Sequence, residues 1–403
     1  MPKISFRKTP SIPSYYSDQQ IDISKWHSST WQLQNSLKKQ EHFEVFFSLS
    51  EPEKKIFTSP KKVFNIRTTP YYASLATDTA EDAIRKILMP SPKELSSEYQ
   101  EMLDPLGEKG NQKTSRLIHR YSDRVLFLVT DFCSVYCRYC TRKHFTGQEQ
   151  SLIKDAEFIE AISYIRNHPG IREVILSGGD PLTLSNSQLD KIIFELRNIE
   201  HIEIIRIGSR MPVVCPQRVD QELVNILRKY KPVFLMTHFN HPDELTEIAA
   251  EKLELFVDHG IPVFNQMVLL NGVNNHESIV QALSRRLLYL RVKPYYMFQC
   301  DPSIGTDHLR TSLKNSQEIQ RKLWGHLSGL AMPQLSLDIP DGGGKAYYVP
   351  SFETQRVGSS IFYEGWDGVK GEYINPDQQS MIEPALSSTY LQEWEEIKSS
   401  KIR

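Results

Sequence analysis

The chain has 403 residues and a mass of 46.6 kDa, long for one ordinary domain and short for three, so a large central domain with terminal additions is expected. Its 48 Lys and Arg residues against 49 Asp and Glu leave a net charge of -1, which argues against nucleic acid or any other polyanion as a partner. No stretch reaches the roughly 18 apolar residues of a membrane span, and residues 1–30 lack the apolar core of a signal peptide, so a cytoplasmic protein without membrane association is expected.

Residues 1–118 carry short amphipathic stretches, such as EDAIRKIL at 81–88, that read as helices wrapped on something larger; no chemistry is legible in them. From Val125 the texture changes to short apolar runs that read as buried strands, at 125–130, 173–177, 202–208, 233–237, 263–270 and 295–299. Helix-length segments lie between them, with periodic apolar positions such as Phe158, Ile162 and Ile165, or Ile279, Leu283 and Leu287. A strand followed by a helix about six times predicts an α/β fold of parallel βαβ units. A barrel or partial barrel fits best, with a doubly wound open sheet as the rival that periodicity alone cannot separate. Residues 335–338 read as a seventh short strand, 346–373 as a small β extension, and the last twenty or so as a surface helix. The expected regions are 1–118, mainly helical, a core at 119–345 and an extension at 346–403.

Every unusual motif falls at the end of one of these strands, and in parallel architectures those ends share one face. The first is Cys133-Ser-Val-Tyr-Cys137-Arg-Tyr-Cys140, three of only five cysteines within eight residues, which is metal spacing and not a disulfide framework. A closed structural zinc site needs a fourth ligand, for which His144 is the one candidate nearby. A 4Fe-4S cluster with one iron open to a small-molecule ligand suits three thiolates better. Asp341-Gly-Gly-Gly-Lys345 lacks the spacing and the following Ser or Thr of a P-loop. A lysine after a glycine run suits a side chain that swings between attachment to a cofactor aldehyde and release. His238 and His241 have HxxH spacing but sit at a strand end with no Glu between them, unlike a zinc protease. Cys215 and Cys300 read as small buried hydrophobes.

The cysteine loop, with an aromatic before its last cysteine and Gly178-Gly179-Asp180-Pro181 after the next strand, resembles the radical S-adenosylmethionine superfamily. Adding GGGK, the chain resembles the lysine 2,3-aminomutase family over roughly residues 60–375, with RYSDRV, RIGSRMPVV, THFNHP, NQMVLLNGVN and KPYYMFQCD in family order. The resemblance implies a partial (β/α)6 barrel and three cofactors: a 4Fe-4S cluster, S-adenosyl-L-methionine and pyridoxal 5'-phosphate. It implies interconversion of L-lysine and β-lysine, started by a 5'-deoxyadenosyl radical on a pyridoxal phosphate aldimine. Cys133, Cys137 and Cys140 would hold the cluster. Gly178, Gly179 and Asp180 would meet the adenosylmethionine amino group, where glycines allow close approach and Asp180 offers an anionic acceptor. His238 and Gln266 match positions near the same cofactor. Lys345 would form the aldimine, and Arg120, Tyr121, Arg124 and Arg210 are candidates for the cofactor phosphate. Arg142 would clamp the substrate carboxylate, and Asp301 and Asp338 the distal ammonium. Some members carry a structural zinc on cysteines after the GVN turn and near the C-terminus; here no cysteine follows Cys300, and no zinc is expected. An electron donor such as flavodoxin or ferredoxin and a homo-oligomer are the expected partners. The alternatives are an aminomutase for arginine or glutamate, β-lysine supply for translation-factor modification, or a binding protein that kept the fold and lost the chemistry.

Overall fold

Strands with apolar residues on both faces must be covered on both faces, and the core is built that way. The computed structural model describes residues 4–59, 64–96, 99, 101–147, 153–376 and 385–399. Ten strands form one sheet: β1 (Gln112–Thr114), β2 (Leu117–Tyr121), β3 (Arg124–Thr130), β4 (Glu173–Gly178), β5 (Ile204–Gly208), β6 (Val233–Thr237), β7 (Val263–Leu269), β8 (Lys293–Gln299), β9 (Gln334–Ile339) and β10 (Gly344–Tyr347). Their spatial order is their order in the chain. β3 to β9 pair in parallel, while β1, β2 and β10 add antiparallel edges. A doubly wound sheet reverses its strand order at a switch point. This one does not, so the winding is that of the expected partial barrel.

Helices Asp155–Arg166, Asn186–Arg197, Gln221–Lys229, Glu247–Asp258, Glu277–Tyr289 and Leu313–Leu323 follow β3 to β8 in turn, giving six strand–helix units before β9. Their apolar stripes face the sheet: Phe158, Ile162 and Ile165 are buried, as are Leu189, Ile193 and Leu196. In the fifth helix the inward stripe is Val280, Leu283 and Leu287, so the expected Ile279 lies one position off the buried face and is only partly covered.

The N-terminal region wraps the barrel by burying aromatics: Trp26, Phe43, Tyr71 and Tyr72 have no exposure. Tyr72 Oη donates to Glu244 at 2.6 Å, and the Arg7 N–H donates to Leu245 O at 3.1 Å. β11 (Glu353–Val357), β12 (Ser360–Glu364) and β13 (Lys370–Ile374) form a separate antiparallel sheet, and a helix at Thr389–Ser399 follows. The region limits at 118 and 345 fall inside β2 and β10, so the wrapping region and the extension run into the core sheet without a break. Among the described residues, no helix is long and apolar enough to cross a membrane.

Candidate active site

Parallel strands deliver their carboxyl ends to one rim, and there a cavity of about 660 Å³ collects the motifs. Cys133, Ser177, His238, Gln266, Asp301 and Lys345, from six different strands or the loops after them, all line it. The HxxH pair does not act together: His241 turns away to cap a short helix, accepting from the Asp243 N–H at 3.2 Å.

The cysteine loop after β3 is fixed from behind. Arg138, almost fully buried, pairs with buried Glu94 and donates to Asn65 O at 2.8 Å, tying the loop to the wrapping region. The three thiols thereby face the cavity. Burial pushes the Cys133 thiol well up, and the charges of Cys140, Asp180 and Cys137 add to it; burial and then Cys137 raise Cys140 in the same way. His144, the possible fourth zinc ligand, turns instead to Asp104 and Glu108, with ligand atoms within 4.8 Å of one another.

The glycines of SGGDP are required by the backbone itself. Gly178 has φ +118°, and a Cβ there would lie 2.1 Å from Thr130 O; one on Gly179 would lie 2.2 Å from Phe132 O. β4 thus ends flush against the cysteine loop. Asp180 is an anionic acceptor with donors of its own chain around it. Its carboxylate accepts from Ser209 Oγ at 2.6 Å and from the N–H groups of Arg210 at 2.7 Å and Leu182 at 3.0 Å, so it locks the ends of β4 and β5 together.

Arg210 requires a correction. It does not join the phosphate candidates: Nη1 donates to Cys137 Sγ at 2.8 Å, Nε to His238 O at 3.2 Å, and Nη2 to Tyr72 Oη at 2.8 Å and to buried Glu244. Beside it, burial and then Arg210 and Arg142 push His238 down to about 4, which leaves a neutral imidazole.

Lys345 Nζ lies 3.1 and 3.2 Å from the two carboxylate oxygens of Asp338 and 4.9 Å from the centre of the Phe298 ring. The Lys345 N–H donates to Tyr121 Oη at 3.3 Å, and the Arg124 guanidinium stacks on the Tyr121 ring at 4.0 Å. Arg120 Nη2 is buried with no hydrogen-bond partner among the described residues, and a Cβ on Gly344 would sit 3.5 Å from it. Asp301 Oδ1 is likewise buried and unpartnered among them. Burial and then the charge of Asp338, against a smaller pull from Lys345, raise the Asp301 carboxyl to about 7. Arg142 pairs with Glu108 and donates to Ser177 Oγ at 3.1 Å.

Several lining residues carried no signal in the chain. Leu106, Glu108 and Asn111 enter the cavity from the wrapping region. Tyr295, Tyr296 and Tyr347 form a hydrogen-bonded row along one side, Tyr295 Oη to Tyr296 Oη at 3.0 Å and Tyr296 Oη to Tyr347 Oη at 2.9 Å. Period 2 in YYMF joins only Tyr296 with Phe298, and Glu108 stands in a turn sequence with no chemistry of its own.

Comparison with known proteins agrees with this arrangement. Residues 127–283 match the Radical SAM superfamily. The L-lysine 2,3-aminomutase of Clostridium subterminale is 41% identical over 357 residues, covering 88% of this chain and 86% of that protein. The chain belongs to the lysine 2,3-aminomutase family. A second L-lysine 2,3-aminomutase, from Methanococcus maripaludis, is 42% identical over 358 residues, 88% of this chain and 83% of its own length. The glutamate 2,3-aminomutase of Clostridioides difficile is 38% identical over 344 residues, 85% and 81%.

As a lysine 2,3-aminomutase family member the protein uses a 4Fe-4S cluster, S-adenosylmethionine and pyridoxal phosphate, and its residues fit them. Cys133 and Cys140, whose thiols are pushed up by their surroundings, need a cationic centre to be held as thiolates, which a 4Fe-4S cluster would supply at this triplet. The orphaned Arg120 Nη2 beside Gly344 marks an anion position one residue from Lys345, as a cofactor phosphate requires. Because the thiols belong to the loop after β3 and Lys345 to β10, the two cofactors separate in a test. Cys140→Ala is expected to lose nearly all cluster iron while retaining pyridoxal phosphate absorbance; iron analysis and a visible spectrum of the same sample check both halves.

Proposed function

We propose that the protein is an L-lysine 2,3-aminomutase, interconverting L-lysine and β-lysine. The observation that carries the reading is the carboxylate pair. Asp338 already holds one primary alkylammonium, that of Lys345, and Asp301 turns an unpartnered oxygen into the same cavity. Two buried carboxylates repel unless a cation lies between them, and the charge of Asp338 adds to burial in raising the Asp301 carboxyl. With Lys345 holding pyridoxal phosphate, the ammonium left for this pair would be the substrate's.

When bound, the cluster and adenosylmethionine supply a hydrogen-abstracting radical, and pyridoxal phosphate supplies a ring that delocalises the unpaired electron while nitrogen migrates. The chain's part is to bind and orient. Cys133, Cys137 and Cys140 anchor the cluster. Gly178, Gly179, Asp180, His238 and Gln266 shape the adenosylmethionine side, with His238 neutral. Arg120, Tyr121 and Arg124 would hold the phosphate of pyridoxal phosphate, and Lys345 its aldehyde end. Arg142 receives the substrate carboxylate, so the amino acid is held at both charged ends and its β carbon is fixed between them. Tyr296, Phe298 and the packed turn at 106–108 help keep water from the reacting atoms.

The finer assignments belong to the same proposal: a cytoplasmic homo-oligomer reduced by a flavodoxin- or ferredoxin-type donor. Within it, residues 1–118 cover the site, 119–345 carry the chemistry, and 346–403 form an outer extension. Anaerobic assay of the reconstituted enzyme against lysine, glutamate and arginine tests the whole reading; turnover of glutamate in preference to lysine would overturn it.

Asp301 adds a pH dependence. With its carboxyl near 7, the free enzyme holds a proton there below that pH, and the proton must leave before an ammonium can pair. The kcat/KM for lysine is therefore expected to fall by about tenfold per pH unit below 7, since this ratio reports ionisation of the free enzyme. Asp301→Asn is expected to flatten that limb, and a limb unchanged in the variant would assign it to another group.

A further inference from the structure

The segment that covers the cavity beside Lys345 comes from far away in the chain. Residues 104–111 form a turn closed by Asp104, whose carboxylate accepts from the N–H groups of Glu108 at 3.0 Å and Lys109 at 2.9 Å. Gly107, at φ +60°, lies so close to the GGGK loop that a Cβ on it would stand 2.7 Å from Gly342 N. The turn is therefore seated on the backbone that carries Lys345, and it delivers Glu108, 7% exposed, against Arg142.

Glu108 Oε1 lies 2.8 Å from Arg142 Nε and 2.7 Å from Nη2, and Oε2 lies 3.1 Å from Nε. The carboxylate thus occupies the side-on edge of the guanidinium, and Ser177 Oγ accepts one hydrogen from Nη1 at 3.1 Å. A guanidinium has five N–H groups in a fixed fork. With those three engaged, one hydrogen on Nη1 and one on Nη2 have no partner among the described residues, the number a bidentate carboxylate takes.

We propose that Glu108 is a positioning residue that fixes the rotation of Arg142 and so presents this N–H pair to the α-carboxylate of the substrate. The inference rests on the reading of Arg142 as the carboxylate clamp and deepens it. Glu108 does not itself touch the substrate. A competing effect exists in principle, because its charge also offsets that of Arg142 and would weaken the hold on any other anion. Positioning and competition predict opposite signs when Glu108 is removed.

The test is equilibrium binding to the pyridoxal phosphate-loaded holoenzyme without adenosylmethionine, read as the change in cofactor absorbance on adding L-lysine or L-lysinamide, which lacks the carboxylate. The wild-type enzyme is expected to prefer lysine by about tenfold or more, the worth of roughly one charge-assisted contact. Glu108→Ala is expected to lose that preference by weakening lysine alone, with lysinamide within about twofold of wild type, a difference small on the affinity scale. Glu108→Gln, which keeps the shape and one acceptor, is expected to restore part of the preference and serves where the alanine variant is poorly folded. Equal loss for both ligands, an unchanged preference or tighter lysine binding in Glu108→Ala would each overturn the positioning role. A wild-type enzyme indifferent to the carboxylate would instead overturn the assignment of Arg142, and this proposal with it.

Discussion

Lys345→Ala is expected to abolish the lysine-linked absorbance of pyridoxal phosphate and to lower turnover by roughly three orders of magnitude or more, the scale seen when a covalent catalytic group is removed. The geometry gives two reasons. The backbone N–H of Lys345 donates to the Tyr121 hydroxyl, and Gly344 before it lies beside the Arg120 guanidinium nitrogen that has no partner among the described residues, while the Lys345 amine lines the cavity. It is also the cation beside Asp338 and Asp301, so its removal leaves two carboxylates facing one another. Lys345→Arg separates these roles, because it keeps a positive charge for Asp338 but has no amine able to form the carbon–nitrogen bond. Both variants are expected to be inactive, and only the alanine variant should raise the proton affinity of Asp301 further. Borohydride reduction followed by peptide mapping decides the attachment point: cofactor found on another lysine in the wild-type enzyme would refute the assignment.

Asp301→Asn combined with Asp338→Asn is expected to reduce lysine turnover by about two to four orders of magnitude, corresponding to roughly 3–5 kcal/mol for a buried charge left without its partner. The substitutions keep the volume of both side chains, so the loss reads charge and not packing. In the wild-type enzyme the ammonium exchanges water for two carboxylates; in the variant it exchanges water for amides whose N–H groups repel it. A substrate ending in a carboxylate behaves oppositely. Glutamate would bring a third anion beside Asp301 and Asp338 in the wild-type cavity, and the double variant removes that repulsion. Relative activity toward glutamate over lysine is therefore expected to rise. Because Asp338 also holds Lys345, the cofactor absorbance of the variant must be intact before the comparison is made. Near-normal lysine activity with the cofactor in place would end the specificity argument and leave the radical chemistry untouched.

What the sequence determined by itself is local chemistry carried in contiguous residues. Six apolar runs separated by amphipathic segments specify alternating strands and helices, and most strand limits in the structure fall within two residues of those runs. A cysteine triplet at such spacing names a metal-cluster class by itself, whereas the glycine run before Lys345 names its cofactor only through the family resemblance. Position along a strand was also legible, since motifs at strand ends must meet on one rim once the strands are parallel.

The tertiary structure decided strand order and side-chain partners. Barrel and open sheet share one periodicity and differ only in which strands become neighbours, a long-range choice absent from any window of the chain. Arg210 and Arg120 look alike in sequence, yet one is enclosed by Cys137, Tyr72 and Glu244 while the other keeps a buried nitrogen unpartnered among the described residues. Asp180 and Asp301 both end strands, but the first is surrounded by N–H and O–H donors and the second by Asp338. Glu108 had no motif at all and reaches the site because Gly107 packs on Gly342 across the edge between β10 and the wrapping region. A charged side chain takes its role from the groups that solvate it, and those arrive from residues tens or hundreds of positions away.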